Sequence, residues 1–227
     1  MGPAVAPQPG HIKLTGKTVT LEPLAARHAV DLWPEVKDTD HVWTYLGDEP
    51  YPSFDDFQNA VTTKAESKDM NFMAIVQQQT AMGWASYMRL DTQHRVVEVG
   101  NILFAPSLQR TKAATEAMYL MMAHAFDDLG YRRYEWKCDN HNGPSKQAAL
   151  RFGFTFEGVF RQHMVYKGRS RDTAWFSVID RDWPLLKTAF EKWLDDENFD
   201  AEGVQVRRLQ DLRDELPKQR GPVVLEL

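Results

Sequence analysis

The chain of 227 residues contains one cysteine, Cys138, so no internal disulfide can form and a reducing compartment fits. One thiol and seven scattered histidines offer no zinc-ligand spacing, and no metal is expected. No apolar run approaches the length of a membrane span. Positive charge is not in excess: 27 Lys and Arg stand against 32 Asp and Glu, a net charge of -5. That balance supplies no overall basic field for nucleic acid or anionic lipid. The opening "MGPAVAPQPG" lacks a charged region followed by an apolar one, and Ala6 stands where a myristoylation motif wants Ser or Thr. The cytoplasm is the expected location. Also missing are a Gly-Lys-Ser/Thr phosphate loop and any constellation that would activate a nucleophile.

What is present reads as a mixed α/β domain. Residues 1–11, rich in Pro and Gly, are expected to be disordered. "KTVTLEPL" (17–24) has the alternation of a strand, and 25–37 has helical spacing with Pro34 expected to bend or break it. Ser53 should cap a helix over 51–68, with Asp55 and Asp56 in its first turn. Strand patterns at 71–78, 81–91 and 95–105 have the short polar links of an antiparallel meander. A helix then runs to Gly130, followed by a strand (131–139), a short helix (142–154) closed by Gly153, and a hairpin turning at Gly168. The strands 95–105 and 131–139, joined through a helix, form a β-α-β unit and are expected to be parallel. The result is a mixed, mostly antiparallel central sheet with flanking helices. A further helix spans 184–194. One domain is expected over 12–196, followed by a charged tail, 197–227, in which Val206, Leu209, Leu212 and Leu216 could form the stripe of a peripheral helix.

The turn "LQRTKAATEAM" (108–118) leads from a strand into that long helix. A helix entered this way aims its free N–H groups and positive dipole end beyond the strand, and small residues let an anion approach. Arg110 and Lys112 add positive charge, so the turn suits phosphate or pyrophosphate. The same residues are also simply a good helix start.

The stretch from Glu98 to Gln162 resembles the GNAT superfamily of acetyl-CoA-dependent N-acetyltransferases, in the branch similar to bacterial ribosomal-protein N-acetyltransferases. Three pieces carry the likeness: the turn running into "ATEAM", the run of Asn142, Ser145 and Ala148, and "FGFTFEG" from Phe152 to Gly158. The likeness extends over roughly residues 17 to 183. It implies a GNAT-like acyltransferase fold with acetyl-CoA as co-substrate. The coenzyme's pyrophosphate would meet the backbone amides of Arg110, Thr111, Lys112, Ala113 and Ala114. Its pantetheine arm would run along Ile102, Leu103 and Phe104, between that strand and "EWKCD". The family prefers glycine where Arg110 and Lys112 stand, so here the amides are kept and the room is narrower.

Acetyl transfer to an amine requires the amine to lose a proton, the oxyanion to be stabilised and the thiolate to leave. The resemblance places Ser145 near the sulfur, as a donor to the leaving thiolate, and gives Asn142 the pantetheine or an ordered water. Either residue could instead cap its helix. Glu98 occupies a place where other GNAT branches carry a base; as a strand residue it reads equally as a solvent-facing carboxylate. Related ribosomal-protein enzymes carry a carboxylate where this chain has Met164, and the adjacent His163 belongs to the opposite strand face. Cys138 reads as a core thiol. The expected activity is acetyl transfer from acetyl-CoA to a primary amine, on a small molecule or a protein N-terminus. Transfer of a longer acyl group and coenzyme A binding without turnover are the alternatives. Dimerisation is common in such families, and no residue pattern here specifies it.

Overall fold

A computed structural model describes residues 5–216. Eight strands form one sheet in the order β1-β2-β3-β4-β5-β6-β8-β7. They are β1 (Leu14–Thr15), β2 (Thr20–Pro23), β3 (Asn71–Gln77), β4 (Thr80–Asp91), β5 (Val96–Phe104), β6 (Arg133–Asp139), β7 (Thr155–Tyr166) and β8 (Arg169–Ile179). Among the described residues only β5 and β6 pair in parallel, joined as expected through a helix. The helices are α1 (Ala29–Val36), α2 (Phe54–Ala65), α3 (Lys112–Ala123), α4 (Gly143–Arg151), α5 (Trp183–Leu194) and α6 (Leu209–Asp214). The expected α/β class, with its mostly antiparallel sheet and β-α-β unit, is the observed one.

Two apolar layers cover the sheet. On one side α1 and α2 bury Leu32, Phe57 and Val61 against Ala74, Trp84 and Leu103. On the other, α3 and α5 bury Met121, Phe190 and Trp193 with Tyr87, Val97, Val99, Tyr134 and Phe176. Alternate residues of each strand serve opposite layers, as a pleated strand requires. Ser53 caps α2 by accepting from the Asp56 N–H. Lys167 (φ 50°) and Gly168 (φ 69°) make the left-handed turn of the β7–β8 hairpin.

The structure departs from the sequence reading in two places and refines it in a third. Pro34 lies inside α1 without breaking it. The carbonyl that loses its partner belongs to Val30, which is exposed, so water can satisfy it. Part of the segment expected to be disordered is pinned: Ala6 is buried and donates to the Thr92 carbonyl at 3.0 Å, and Tyr131 Oη donates to Pro7 O at 3.2 Å. The peripheral helix expected in the tail is present as α6. Leu209 and Leu212 of α6 are buried and Leu216 packs on the core, but Val206 is exposed and does not join the stripe. Residues 217–227 of the tail lie outside the described residues.

The second turn of α3 is tied to the β1–β2 turn by a carboxylate. Buried Glu116 accepts from the N–H groups of Lys17 (2.7 Å) and Thr18 (2.6 Å) and from Thr18 Oγ1 (2.5 Å). Gly16 is required there, since a Cβ would stand 2.5 Å from Glu116 Cδ. Hydrogen bonds to a charged group are worth roughly 1.5–3 kcal/mol each, and orphaned buried donors cost similarly. Glu116→Ala should therefore lower the unfolding free energy by about 3 kcal/mol in urea titration. Glu116→Gln, which retains one accepting oxygen, should lose less.

Candidate functional site

Strands β5 and β6 part company midway. They pair from Val96↔Arg133 to Val99↔Trp136 and no further. A bulge drives the separation: on the β4 side Trp84 faces Leu103 and Ser86 faces Gly100, so two residues of β5 oppose one of β4. Asn101, within the bulge, takes a left-handed φ of 49°, and such an extra residue bends its strand. From Gly100 to Phe104, therefore, β5 has β4 on one side and no strand on the other. β6 continues to Asp139 with β8 as its remaining neighbour. The wedge between them presents peptide groups that need partners. Ile102, Leu103 and Phe104, expected to hold the pantetheine arm, lie along it.

The turn into α3 lies just past the end of β5. Arg110 adopts φ 63°, a conformation that glycine takes without strain. Thr111 caps α3, its Oγ1 accepting from Ala114 N at 3.1 Å, while its own N–H donates to Leu108 O at 3.3 Å. Two of the five expected amides, Thr111 and Ala114, are thus already engaged. Among the described residues the N–H groups of Arg110, Lys112 and Ala113 have no acceptor. The Lys112 ammonium is committed as well, 2.8 Å from Asp196 and over the Phe199 ring at 4.2 Å. Arg110 is exposed and meets no carboxylate among the described residues.

At the far rim, Asn142 Oδ1 accepts from Ser145 N at 3.1 Å and so caps α4. Ser145 Oγ accepts from Trp136 Nε1 at 2.9 Å, and its hydroxyl neighbours the Cys138 thiol. Cys138 is buried, and burial pushes its thiol above the ordinary value although the neighbouring Ser145 hydroxyl opposes the shift. That makes it a poor nucleophile.

Glu98 is buried, and both oxygens are occupied. Arg89 Nη1 lies 2.7 and 2.8 Å from its two oxygens, and Lys137 Nζ lies 2.9 Å from Oε2. Lys137 also meets Glu135 at 2.8 Å and stands 3.8 Å above the centre of the Trp175 ring. Arg133 continues the ladder, binding Glu135 at 2.6 Å and both oxygens of Glu157 at 2.7 and 2.6 Å. Ser177 Oγ donates to Glu157 at 2.6 Å. His163 lies on this same sheet face, with Nδ1 2.9 Å from Thr173 Oγ1. Beside it a groove of about 760 Å³ is lined by Phe160, Arg161, Gln162, His163 and Asp172.

A collar of polar contacts closes over the open end of this face. Tyr166 Oη, at the hairpin tip, donates to Thr44 O at 3.0 Å, and Lys167 Nζ donates to Trp43 O at 2.8 Å. From the β6–α4 turn, His141 O accepts from Tyr45 Oη at 3.1 Å. The His141 ring is itself held at Nδ1, 3.0 Å from Asp139 Oδ1. No sequence argument singled out Asp139 and His141; a carboxylate and an imidazole two residues apart at a strand end were the available signal.

A family model for the acetyltransferase (GNAT) domain matches residues 18–155, more than half of the chain. The chain belongs to the GNAT acetyltransferases. The structure of a GCN5-related N-acetyltransferase from Brucella melitensis is 45% identical, with a TM-score of 0.91, covering 94% of this chain and 99% of that one. An uncharacterised N-acetyltransferase of Bacillus subtilis, YoaA, is 30% identical over 98 residues, 43% of this chain; the match spans only 55% of that protein. A Salmonella typhimurium acetyl transferase that modifies the N-terminal serine of a 50S ribosomal subunit protein shares the fold at 20% identity. Its TM-score is 0.64, over 74% of this chain and 99% of that one. No described helix of the GNAT chain is long and apolar enough to cross a membrane.

Two outcomes follow from the charge ladder. Removing one partner of a buried ion pair costs about 3–5 kcal/mol, so Glu98→Gln should lose about 3 kcal/mol of stability in denaturant titration. For Glu157, the Arg133 guanidinium holds the carboxyl below its ordinary value of 4.5, against the effect of burial. A depressed folded value stabilises above the unfolded one and is lost as pH falls through the folded one. The stability gap between wild type and Glu157→Gln should be full at pH 7 and shrink steadily below about pH 4.5.

Proposed function

We propose that the protein transfers an acetyl group from acetyl-CoA to a primary amine. The observation that carries this reading is the wedge: the stretch of β5 from Gly100 to Phe104 that lacks a strand on its β6 side, with side chains already on the Gly100 and Phe104 carbonyls, continuous with the acceptor-free amides of Arg110, Lys112 and Ala113. A chain carrying amide and carbonyl groups, ending in a pyrophosphate, matches that donor set in order. Ile102, Leu103 and Phe104 would hold the arm, and the three amides with Arg110 would hold the phosphates. Asn142, although it caps α4, lies with Ser145 at the opposite rim. Acetyl-CoA supplies an acetyl group activated as a thioester.

Ser145 is suited to donate to the departing thiolate, because Trp136 fixes its oxygen and its hydroxyl otherwise meets the Cys138 thiol, a weak acceptor. Glu98 acts as an anchor that joins β4, β5 and β6, since Arg89 and Lys137 occupy its oxygens. The amine would approach from the polar face, beneath the collar made by Tyr45, Tyr166 and Lys167. A slender amine suits that entry, on a small molecule or at the N-terminus of an extended peptide.

Acetyl-CoA at a hundredfold excess over its dissociation constant should stabilise the fold by about 2.7 kcal/mol, seen as a raised melting temperature. Arg110→Asp, an exposed change to a residue that tolerates positive φ, should abolish that shift by placing negative charge at the turn. Arg110→Gly, which suits the backbone better, should keep it. Release of free thiol that depends on an added amine separates an enzyme from a coenzyme binder. A melting temperature unmoved by acetyl-CoA, with no thiol release across an amine panel, removes the reading.

A further inference from the structure

We propose that His141, oriented by Asp139, is the base that takes the proton from the acceptor amine. The inference rests on the acetyltransferase reading above. Asp139 is the last residue of β6, on the rim of the wedge, and faces Thr173 of β8. Its carboxylate is buried, yet Oδ1 reaches two groups of the turn that follows: the His141 N–H at 2.8 Å and His141 Nδ1 at 3.0 Å. A carboxylate oxygen can only accept, so Nδ1 carries the hydrogen and Nε2 keeps its lone pair. The side chain is 80% exposed, so that lone pair is reachable from solvent.

The pair is also fixed in place. Tyr45 holds the His141 carbonyl, and Lys146 Nζ holds the preceding carbonyl of Asn140 at 2.6 Å. The fields of Asp139, Arg171, Tyr45 and Glu49 all reach Tyr166, whose hydroxyl burial and Asp139 together push above its ordinary value. Around the pair, Tyr45 and Lys146 hold its backbone carbonyls, while His163 Nδ1 and Arg171 Nε meet Thr173 Oγ1, the hydroxyl of the β8 residue opposite Asp139. Tyr45 is also part of the collar under which an amine would enter, so the pair lies beside that entry. An imidazole held by a carboxylate at its far nitrogen is the arrangement expected of a general base. Glu98 lacks that freedom, because two cations occupy its oxygens.

The balance of the step is simple. The ammonium form of the acceptor gives one proton to His141 Nε2, and the nitrogen lone pair so exposed forms the new C–N bond. The C–S bond breaks with its electron pair leaving on sulfur, the second nitrogen proton passes to that thiolate, and His141 returns the first proton to water.

Two measurements test this. In the ligand-free protein, imidazole nitrogen shifts, assigned by difference with His141→Gln, should show the neutral ring protonated at Nδ1. A neutral ring protonated at Nε2 overturns the proposal without reference to activity. In turnover, His141→Ala keeps both backbone contacts and should retain the melting shift with acetyl-CoA while kcat falls about a hundredfold. Free imidazole should restore much of that loss, because the vacated position is open to solvent. Asp139→Asn should lower kcat and gain nothing from imidazole. An active wild type beside an equally active His141→Ala overturns the assignment alone. A wild type that binds no acetyl-CoA and acetylates nothing removes the acetyltransferase reading, and this assignment with it.

Discussion

The separation of two neighbouring parallel strands is the constraint on which the site depends. A sheet interior normally leaves no backbone group unpaired, because orphaned peptide groups are costly. Here β5 and β6 stop pairing after Val99 and Trp136, and a bulge at Asn101 keeps them apart. Such a gap persists only if both strands are held firmly on their outer flanks. The flanks are strong: β4 pairs with β5 up to Phe104, and β8 pairs with β6 up to Asp139. The peptide edge this exposes is long enough to receive a linear ligand, and α3 begins where it ends.

The charge ladder supports that separation from below. Glu98, Lys137 and Glu135 are nearly inaccessible, yet every charge in the run meets an opposite one. Burying such a set is seldom a net gain over apolar packing, but breaking one member is costly, so it fixes register more than it adds stability. Arg133 and Glu157 extend the ladder to the outermost strand. The polar face can thus remain open to an incoming amine while the strands beneath it stay in register.

Much of this was legible in the sequence, and the remainder was not, for physical reasons. Ser53 as a cap, Gly168 as a turn and the apolar alternation of β3 to β5 are local signals. Position at the helix start offered Asn142 as the α4 cap, and the resemblance pointed to Ile102, Leu103 and Phe104 along the wedge. Long-range contacts were invisible: Glu116 reads as a helix residue until the β1–β2 turn is placed over it. Pro34 reads as a breaker until the exposure of Val30 is known. Glu98 could be a base or a surface carboxylate by pattern, and only the pairing of β6 brings Lys137 to it. Asp139 and His141 carry no periodic signal, and the contact with Tyr45 joins residues 96 positions apart.

The strand order carries a consequence for how the chain assembles. β8 lies inside β7, although β7 is made first. β7 has no place on the sheet until β8 has paired with β6, so the hairpin must dock as a unit or in reverse of its synthesis. Until residues 169–179 arrive, β6 has only four pairings to β5 and an open second edge. Contacts of large sequence separation form slowly, because loop closure must precede their gain. The β6 wall of the wedge is therefore fixed only when β8 pairs with it, and a nascent GNAT chain stopped short of β8 has four of its six helices but no rigid seat for a ligand.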